Sequence, residues 1–438
     1  MKKSAIISLT VFFLLFCNVA FSQSQNTVMP WMGMEESVYH DIPVGGWNLI
    51  GAFSLRSTAM GETLLSNLNP ISGCLNPAFL TSLSCPQFSL SYRFSENTYK
   101  TTSNNPFGGW IDRHSETRSF IRKTDYLDGV GIALPFKKWT VAANYFLLQE
   151  FNFPNISGDT IFYPSKVKQS GELKGVNFAV SHRLTSSFSM GISASYIFGK
   201  ISRFQVSAPI YYIMDGKHPN SNFNFIPELI QLPYSVYIIQ ENYDVDIKGL
   251  FFNAGLNFKV NEKWLFGLAL RPPFKFSLKA EMKYSFPDSG MPEKTVSGDF
   301  YIKQPIVVIA SVLYKPLSSF ILTADLSYWG WRYISSDYRP NWYYPHQFKN
   351  IVRMNLGAEY HMTLPFKLIE GVSFRAGYIY DPQPYEYYES FARNFFCAGL
   401  CLNIGKIDFE TAAKISLNPD EKQRFHSNVY KLGLGYRF

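Results

Sequence analysis

The last twelve residues, Ser427 to Phe438, read SNVYKLGLGYRF. Asn428, Tyr430, Leu432, Leu434, Tyr436 and Phe438 fall on one face, and Val429, Lys431, Gly433, Gly435 and Arg437 on the other, because successive side chains of a strand point to opposite sides. One face is apolar and aromatic; the other is small or basic. A soluble sandwich strand can alternate in the same way, but it rarely ends a chain on an aromatic of the apolar face. The stretch predicts the closing strand of an outer-membrane β-barrel, with apolar side chains towards lipid and polar ones towards the lumen.

Working outward, the opposite end fits that destination. MKKSAIISLTVFFLLFCNVAFSQSQ has a basic start at Lys2 and Lys3, an apolar run from Ala5 to Phe16, and a small-x-small site at Ala20-Phe21-Ser22. This is the pattern of a secretory signal peptide over residues 1–22, cut before Gln23. Cys17 is preceded by Phe16 rather than a small residue, which argues against lipid attachment. No other run approaches the ~20 apolar residues of a membrane helix. Aromatic residues make up 17% of the chain, with 28 Tyr and 39 Phe, while the mean hydropathy is nearly neutral. Apolar-out, polar-in strands average to that value. The net charge is +8, but no cluster of five or more basic residues exists, so a nucleic-acid partner is not expected.

From Gln23 to residue 86 there is little alternation, and Gly, Ser, Asn and Pro are frequent. Asn76-Pro77-Ala78 reads as a helix start, with Asn76 as cap and Pro77 at the first position. From Gln87 to Phe438, fourteen alternating segments follow, each long enough to span a bilayer at a tilt. The connections alternate too. Residues 95–127, 152–173, 205–243, 285–299, 332–349, 381–389 and 418–426 form long links. Lys137-Lys138, 184–187, 261–263, 315–319, 363–371 and Gly405-Lys406 form short ones. Long outside loops and short inside turns are the asymmetry of outer-membrane barrels. The expected fold is therefore all-β: a 14-stranded antiparallel transmembrane barrel over 87–438, with residues 23–86 as a hatch of short helices and loops in its lumen. Leu64, Leu65, Ile71, Phe79 and Leu80, with Trp47, Leu49, Ile50 and Phe53, supply apolar surface for packing there.

The faces agree with this architecture. Arg353, Asn355, Gly357, Glu359 and His361 alternate with Val352, Met354, Leu356, Ala358 and Tyr360; Asp408, Glu410 and Lys414 alternate with Phe409, Thr411 and Ile415. A basic side chain facing mid-bilayer lipid costs ~2–4 kcal/mol, so these charges are assigned to the lumen. Trp139, Trp264, Tyr196, Trp329, Trp331, Tyr378, Tyr380 and Tyr436 lie towards segment ends, as interfacial girdle residues do.

No enzyme constellation is present. HExxH and CxxC are missing, and the Gly191-Ile192-Ser193-Ala194-Ser195 run lacks the second glycine of a nucleophile elbow. The seven histidines are scattered, none at metal-pair spacing. The chain is expected to need no cofactor and no metal. Cys74 and Cys85 are compatible with either a disulfide or two thiols in an oxidising compartment. Cys397 and Cys401 share a strand face ~13 Å apart, too far to bridge, and read as small lumen residues.

At this point the residues carry a family resemblance. Gly51 to Phe94, with its SLRSTAMGE segment, then Asn76-Pro77-Ala78, then the first strand, resembles the hatch and first strand of the FadL/TodX family of outer-membrane hydrophobic-compound transporters. Lys431, Gly433, Tyr436 and Phe438 look like the signal read by the barrel-assembly machinery. The resemblance implies a monomeric barrel embedded in outer-membrane lipid and passive uptake of fatty acids or aromatic hydrocarbons. A docking or secretion-accessory role is the alternative, with the aromatic-rich loop 205–243 as partner surface. In that family substrate is thought to leave sideways at a kink in the third strand. Here that segment, WTVAANYFLLQEF, has no Gly or Pro before Pro154 and is expected to run unbroken. Arg271-Pro272-Pro273 interrupts the seventh segment instead, as either a bend or opening there or a strand end at an edge of the pairing.

Overall fold

A computed structural model describes residues 54–103, 116–151, 153–160, 163–207, 239–286, 291–333, 349–366, 368–382, 392–417 and 425–438. The expected signal peptide, hatch residues 23–53 and most of the 205–243 loop lie outside them.

Fourteen strands form one closed antiparallel sheet. They are β1 (Gln87–Ser103), β2 (Glu116–Phe136), β3 (Trp139–Glu150, resumed as Phe153–Thr160), β4 (Tyr163–Arg183), β5 (Phe188–Ser207), β6 (Ile239–Lys259), β7 (Trp264–Arg271, resumed as Phe274–Phe286), β8 (Met291–Gln304, resumed as Val307–Leu317), β9 (Phe320–Trp329), β10 (Ile351–Thr363), β11 (Gly371–Pro382), β12 (Ala392–Ile404), β13 (Ile407–Ser416) and β14 (Phe425–Arg437). Each pairs with its neighbour in sequence. β14 returns to β1 from Gln87↔Arg437 to Tyr99↔Phe425, and the Phe438 amide donates to the Pro86 carbonyl at 3.0 Å. Closure removes the unpaired edges that lipid would not tolerate.

The turns at one end are as short as expected, but the long connections are not all loop. β1 and β2 run paired up to Ser103↔Glu116, and β3 and β4 up to Thr160↔Tyr163. These ladders project beyond the apolar belt. The sequence there, as in ENTYKTTS over 96–103 and ETRSFIRK over 116–123, is largely polar at successive positions, so the period-2 apolar signal fades while backbone pairing continues. The lipid face itself is apolar: Phe178, Ile192, Leu250, Phe252, Leu326, Leu356 and Phe396 are all exposed. Trp139 and Trp264 sit at the short-turn end as girdle residues, stacked on His182 and Tyr314. Trp329 and Trp331 do not join them. Trp329 shares parity with Thr323, Asp325 and Ser327, which point inward, and both tryptophans are buried in the lumen.

Three strands are interrupted. The seventh breaks at Pro272-Pro273, as the prolines dictate, since they remove ladder donors. The eighth breaks directly opposite, at Pro305-Ile306, between the Gln304↔Phe274 and Val307↔Arg271 pairs. The third, expected to be continuous, shifts register between Leu147 and Gln149 and stops at Glu150. No breaker residue causes this. Phe146, Leu147 and Leu148 are buried in succession, so the bulge lets consecutive apolar side chains turn away from water, at the expense of alternation.

Residues 54–83 fill the lumen. They form α1 (Leu55–Ala59) and three 3₁₀ turns, Leu64–Ser66, Pro70–Cys74 and Pro77–Ser82. Runs this short need side-chain caps for their free amides. Ser54 accepts from the Ser57 amide, Asn69 from Ile71 and Asn76 from Ala78. Leu64, Leu65, Ile71, Phe79 and Leu80 are all buried.

Candidate functional site

The lumen has two unlike sides, and the hatch touches both. On β10–β14 the inward residues are charged and ion-paired. Glu62 of the hatch binds Arg353 and, at 2.7 Å, Lys414. Arg56 of α1 binds Glu359 at 2.7 Å, and Arg375 links Glu359 to Glu410, each at 2.7 Å. Asp381 joins Arg353 at 3.6 Å to Arg393 at 3.0 Å. Burial alone pushes the Glu62 carboxyl up, but Lys414 and Arg353 together hold it well below the ordinary carboxylate range. Glu62 has a left-handed φ of 58°, an uncommon conformation for a residue with a side chain. It follows Gly61, whose φ is 70° and where a Cβ would overlap the Leu356 carbonyl. The tight turn thus aims Glu62 at its two cations. Inward glycines give the hatch its seat: a Cβ at Gly377 would strike Met60 and Gly61, and one at Gly433 would strike Leu55.

On β4–β7 the hatch is held by neutral groups. The Asn76 amide donates to Asn257 at 2.8 Å, Asn253 donates to the Cys74 carbonyl at 2.8 Å, and Ser189 donates to the Ala78 carbonyl at 3.3 Å. The expected Asn76-Pro77-Ala78 motif therefore lies against the wall, where Asn76 both caps its own turn and reaches β6. Cys74 and Cys85 are thiols. Cys74 is buried at the end of one 3₁₀ turn while Cys85 lies beyond the next, half-exposed, near the start of β1, so the disulfide offered by their spacing is not formed. Cys397 and Cys401 are buried in the lumen.

Beyond these amides the wall is apolar. Phe146, Leu148, Phe151, Leu173, Ile197, Ile247, Phe251, Phe274, Phe276 and Ile302 cluster around Ile71 and Cys74 of the hatch. A second group joins Leu64 and Leu75 to Val307, Trp329, Trp331 and Ile351. Between the two lies Arg271, only 4% exposed. Its guanidinium carbon is 5.6 Å from the Phe251 ring centre and 5.5 Å from those of Phe274 and Trp329. Arg271 also lines a small pocket with Leu75, Asn253, Ala269, Leu270, Val307 and Ile309. Desolvated contacts between a guanidinium and aromatic rings are worth about 2 kcal/mol and help to hold the buried charge. The sequence drew attention to Pro272-Pro273; the inward parity of the preceding arginine was the signal for its position.

The wall beside the first apolar cluster is incompletely sealed. β2 pairs with β3 only from Phe136↔Trp139 to Gly129↔Phe146. Past that point β2 pairs with β1 and β3 with β4 alone. A polar latch crosses the parted seam: Thr124 donates to the Glu150 carboxylate at 2.7 Å and Ser95 donates to the same oxygen at 3.1 Å. No break in WTVAANYFLLQEF foretold this, but the Phe146-Leu147-Leu148 triplet is the residue-level trace of it.

The C-terminal residues are placed as expected by face. Lys431 is buried and pairs with Asp128 of β2 at 2.7 Å, and Arg437 pairs with Asp408 at 2.9 Å. The Tyr436 and Phe438 rings meet edge-to-face at 5.0 Å. Among the described residues, no group of three or more His, Cys, Asp and Glu is arranged to hold a metal.

Solved structures with a similar fold exist. The toluene transporter TbuX of Ralstonia pickettii aligns over 89% of this chain and 99% of its own, with a TM-score of 0.59 at 14% identity. A Pseudomonas aeruginosa FadL homologue gives 0.62 at 14% identity over 89% and 99%. The P. putida toluene transporter TodX gives 0.61 at 13% identity over 89% and 99%. At such identities the likeness concerns the fold. No curated protein matches the sequence. The profile of the outer membrane protein transport family (OMPP1/FadL/TodX) matches residues 52–391. That match takes in the described hatch, strands β1 to β11 and more than half of the chain, and the protein belongs to the OMPP1/FadL/TodX family of outer-membrane transport proteins.

Proposed function

We propose that the barrel carries a hydrophobic small molecule inward through the apolar side of the lumen and releases it sideways between β2 and β3. The observation that supports this most is the β2–β3 seam: pairing ends at Gly129↔Phe146, beside the apolar cluster that holds Phe146, Leu148 and Phe151. An apolar ligand loses little on leaving such a cluster for hydrocarbon, because both surroundings are equally dry. Passage then needs no energy source, only a displaced latch and rearranged side chains. Arg271 favours a ligand with a carboxylate head, of the long-chain fatty-acid kind, over a neutral hydrocarbon. A carboxylate could accept a charge-assisted hydrogen bond from the guanidinium while its chain lies among the phenyl rings.

Tethering the seam tests the route. The T124C/E150C variant, oxidised in cells, is expected to stop uptake of labelled oleate, and a reductant to restore it. Uptake unaffected by the tether would sink the sideways route. Arg271→Met tests the ligand class: oleate uptake should fall about tenfold, a loss of about 1.4 kcal/mol in binding, while toluene uptake is unchanged. An equal fall for both would show that Arg271 only supports packing.

A further inference from the structure

The lipid-facing side of β4–β8 carries a row of lysines where the apolar belt ends. These strands present Lys174, Lys200, Lys248, Lys275 and Lys303 outward, one each. Cross-strand register aligns them: Lys174 pairs with Phe198, Phe198 with Lys248, Lys248 with Ser277, and Lys275 with Lys303. The row lies at the end remote from the short turns, which is the outer-leaflet end of a barrel.

The outer members of the row are neutralised. Lys174 pairs with Glu172 at 2.6 Å and Lys200 with Asp244 at 3.3 Å. One step further out the signs are mixed, with Lys279 opposite both Asp246 and Asp299 and Lys283 bound to Glu281. Lys248, Lys275 and Lys303 differ. Lys248 has Phe198 and Ser277 opposite it, and Lys275 and Lys303 face each other. Directly opposed side chains stand about 5 Å apart at Cβ and diagonal ones about 7–8 Å, so Lys275 stands between the other two, opposite Lys303 and diagonal to Lys248. Like charges opposite one another oppose pairing. Lys275 also lies over the Tyr301 ring at 4.2 Å. Immediately towards the short-turn end, Leu250, Phe252 and Leu270 are exposed to the bilayer. Across the barrel, the outward residues at this end of β11, β12 and β14 are Tyr378, Tyr380, Asn394, Asn428 and Tyr430, aromatic or amide but not basic.

We infer that Lys248, Lys275 and Lys303 bind the phosphate of a phosphorylated, multiply acylated glycolipid of the outer leaflet, the lipid A type, with its acyl chains on Leu250, Phe252 and Leu270. The chemistry asks for both halves. Three neighbouring lysines on adjacent strands suit a phosphate monoester, which carries more than one negative charge and three acceptor oxygens. The apolar floor directly below suits chains attached to the same headgroup. A soluble anion would leave that floor exposed to lipid as before and would be screened by salt.

The test uses the full-length protein in detergent, stripped of lipid, with diphosphoryl lipid A as the probe and its phosphate-free counterpart as the comparison. Bound lipid is counted by native mass spectrometry, and barrel unfolding is followed by gel mobility after heating. Diphosphoryl lipid A is expected to bind the wild type and raise its unfolding temperature. K248Q/K275Q/K303Q should bind at least tenfold more weakly while its lipid-free unfolding temperature stays equal or rises, since opposed charges are removed. K137Q/K138Q/K406Q, at the short-turn end, should bind as the wild type does. Equal binding by the K248Q/K275Q/K303Q variant, or equal binding of the phosphate-free lipid, would overturn the inference. Should the triple variant fail to fold, Lys275→Gln alone gives the same comparison, with several-fold weaker binding expected.

Discussion

The β10–β14 side of the lumen and the β3–β8 side are built from opposite materials. On the first, directional ion pairs tie Arg56 and Glu62 of the hatch to Glu359, Arg353 and Lys414. On the second, apolar side chains, joined by Trp329 of β9 and Ile351 at the start of β10, meet Ile71, Cys74, Leu64 and Leu75. The difference teaches how one plug can be both fixed and passable. A buried ion pair holds one geometry and is strongly destabilised when a partner is lost. Apolar contact is non-directional, so a greasy ligand can replace protein atoms there at little net change. The charged side anchors; the apolar side can yield.

The most drastic way to break the contrast is to remove the hatch. Deleting residues 26–84 leaves the charged and apolar walls facing an empty lumen, and a 14-stranded barrel is wide enough to hold an interior space. Planar bilayers containing the variant should show large, steady ion conductance where the intact protein shows none. Unchanged conductance would mean that the hatch does not seal the barrel.

Next in size is loss of a single anchor. Arg353→Met strips a cation from both Glu62 and Asp381 and leaves buried carboxylates short of charge. The expected cost is about 3–5 kcal/mol, read as a lower unfolding temperature and as intermittent conductance. Phe276→Ala on the opposite wall removes a fully buried ring and should cost about as much in stability, 3–5 kcal/mol. It should leave the hatch seated, with no conductance. The contrast between the sides fails if both variants leak equally.

How far the sequence reveals this arrangement follows from the range of each interaction. Fourteen strands and their faces are legible because alternation is local: Arg353, Glu359, Glu410 and Lys414 announce an inward face on their own strands. The ion pairs are not legible, since Arg56 and Glu359, or Glu62 and Lys414, meet only after barrel closure. Trp329 and Trp331 show the limit of position along a strand, because parity rather than nearness to an end sets their direction. Pro272-Pro273 betrays its break. The third strand hides its break, because a bulge driven by three consecutive apolar residues needs no proline or glycine. Asn76 was legible as a cap, but its second bond, to Asn257, belongs to the tertiary structure.

A smaller effect is expected at the seam. Glu150→Gln keeps the size of the latch but weakens two hydrogen bonds to a charged acceptor, from Thr124 and Ser95. Each loses about half its strength when the charge goes. The barrel should keep its unfolding temperature within about 1 kcal/mol of stability, while oleate uptake rises up to a few-fold if opening the latch limits release. A fall in uptake would instead assign Glu150 to holding the exit in a usable shape.

The smallest expected effect is that of mild acid. Glu62 has a folded-state pKa below its unfolded value, because Lys414 and Arg353 outweigh the opposing effect of burial. An acid depressed in this way contributes its stability fully above the unfolded pKa, about 4.3 for Glu, and loses it only as pH falls through the folded value. Between pH 7.5 and about 5, conductance should stay closed and protease protection of the hatch unchanged. Apolar contacts on the other side do not titrate, so loosening in this window would trace to the buried Asp325 carboxyl, which accepts from the Leu64 amide of the hatch. A hatch that loosened in this window would show that the Glu62 anchor is not what holds it, and that attachment rests on groups titrating near neutrality. Loosening confined to strongly acidic solution, and not brought about by added salt at neutral pH, is the outcome that buried, poorly screened ion pairs demand.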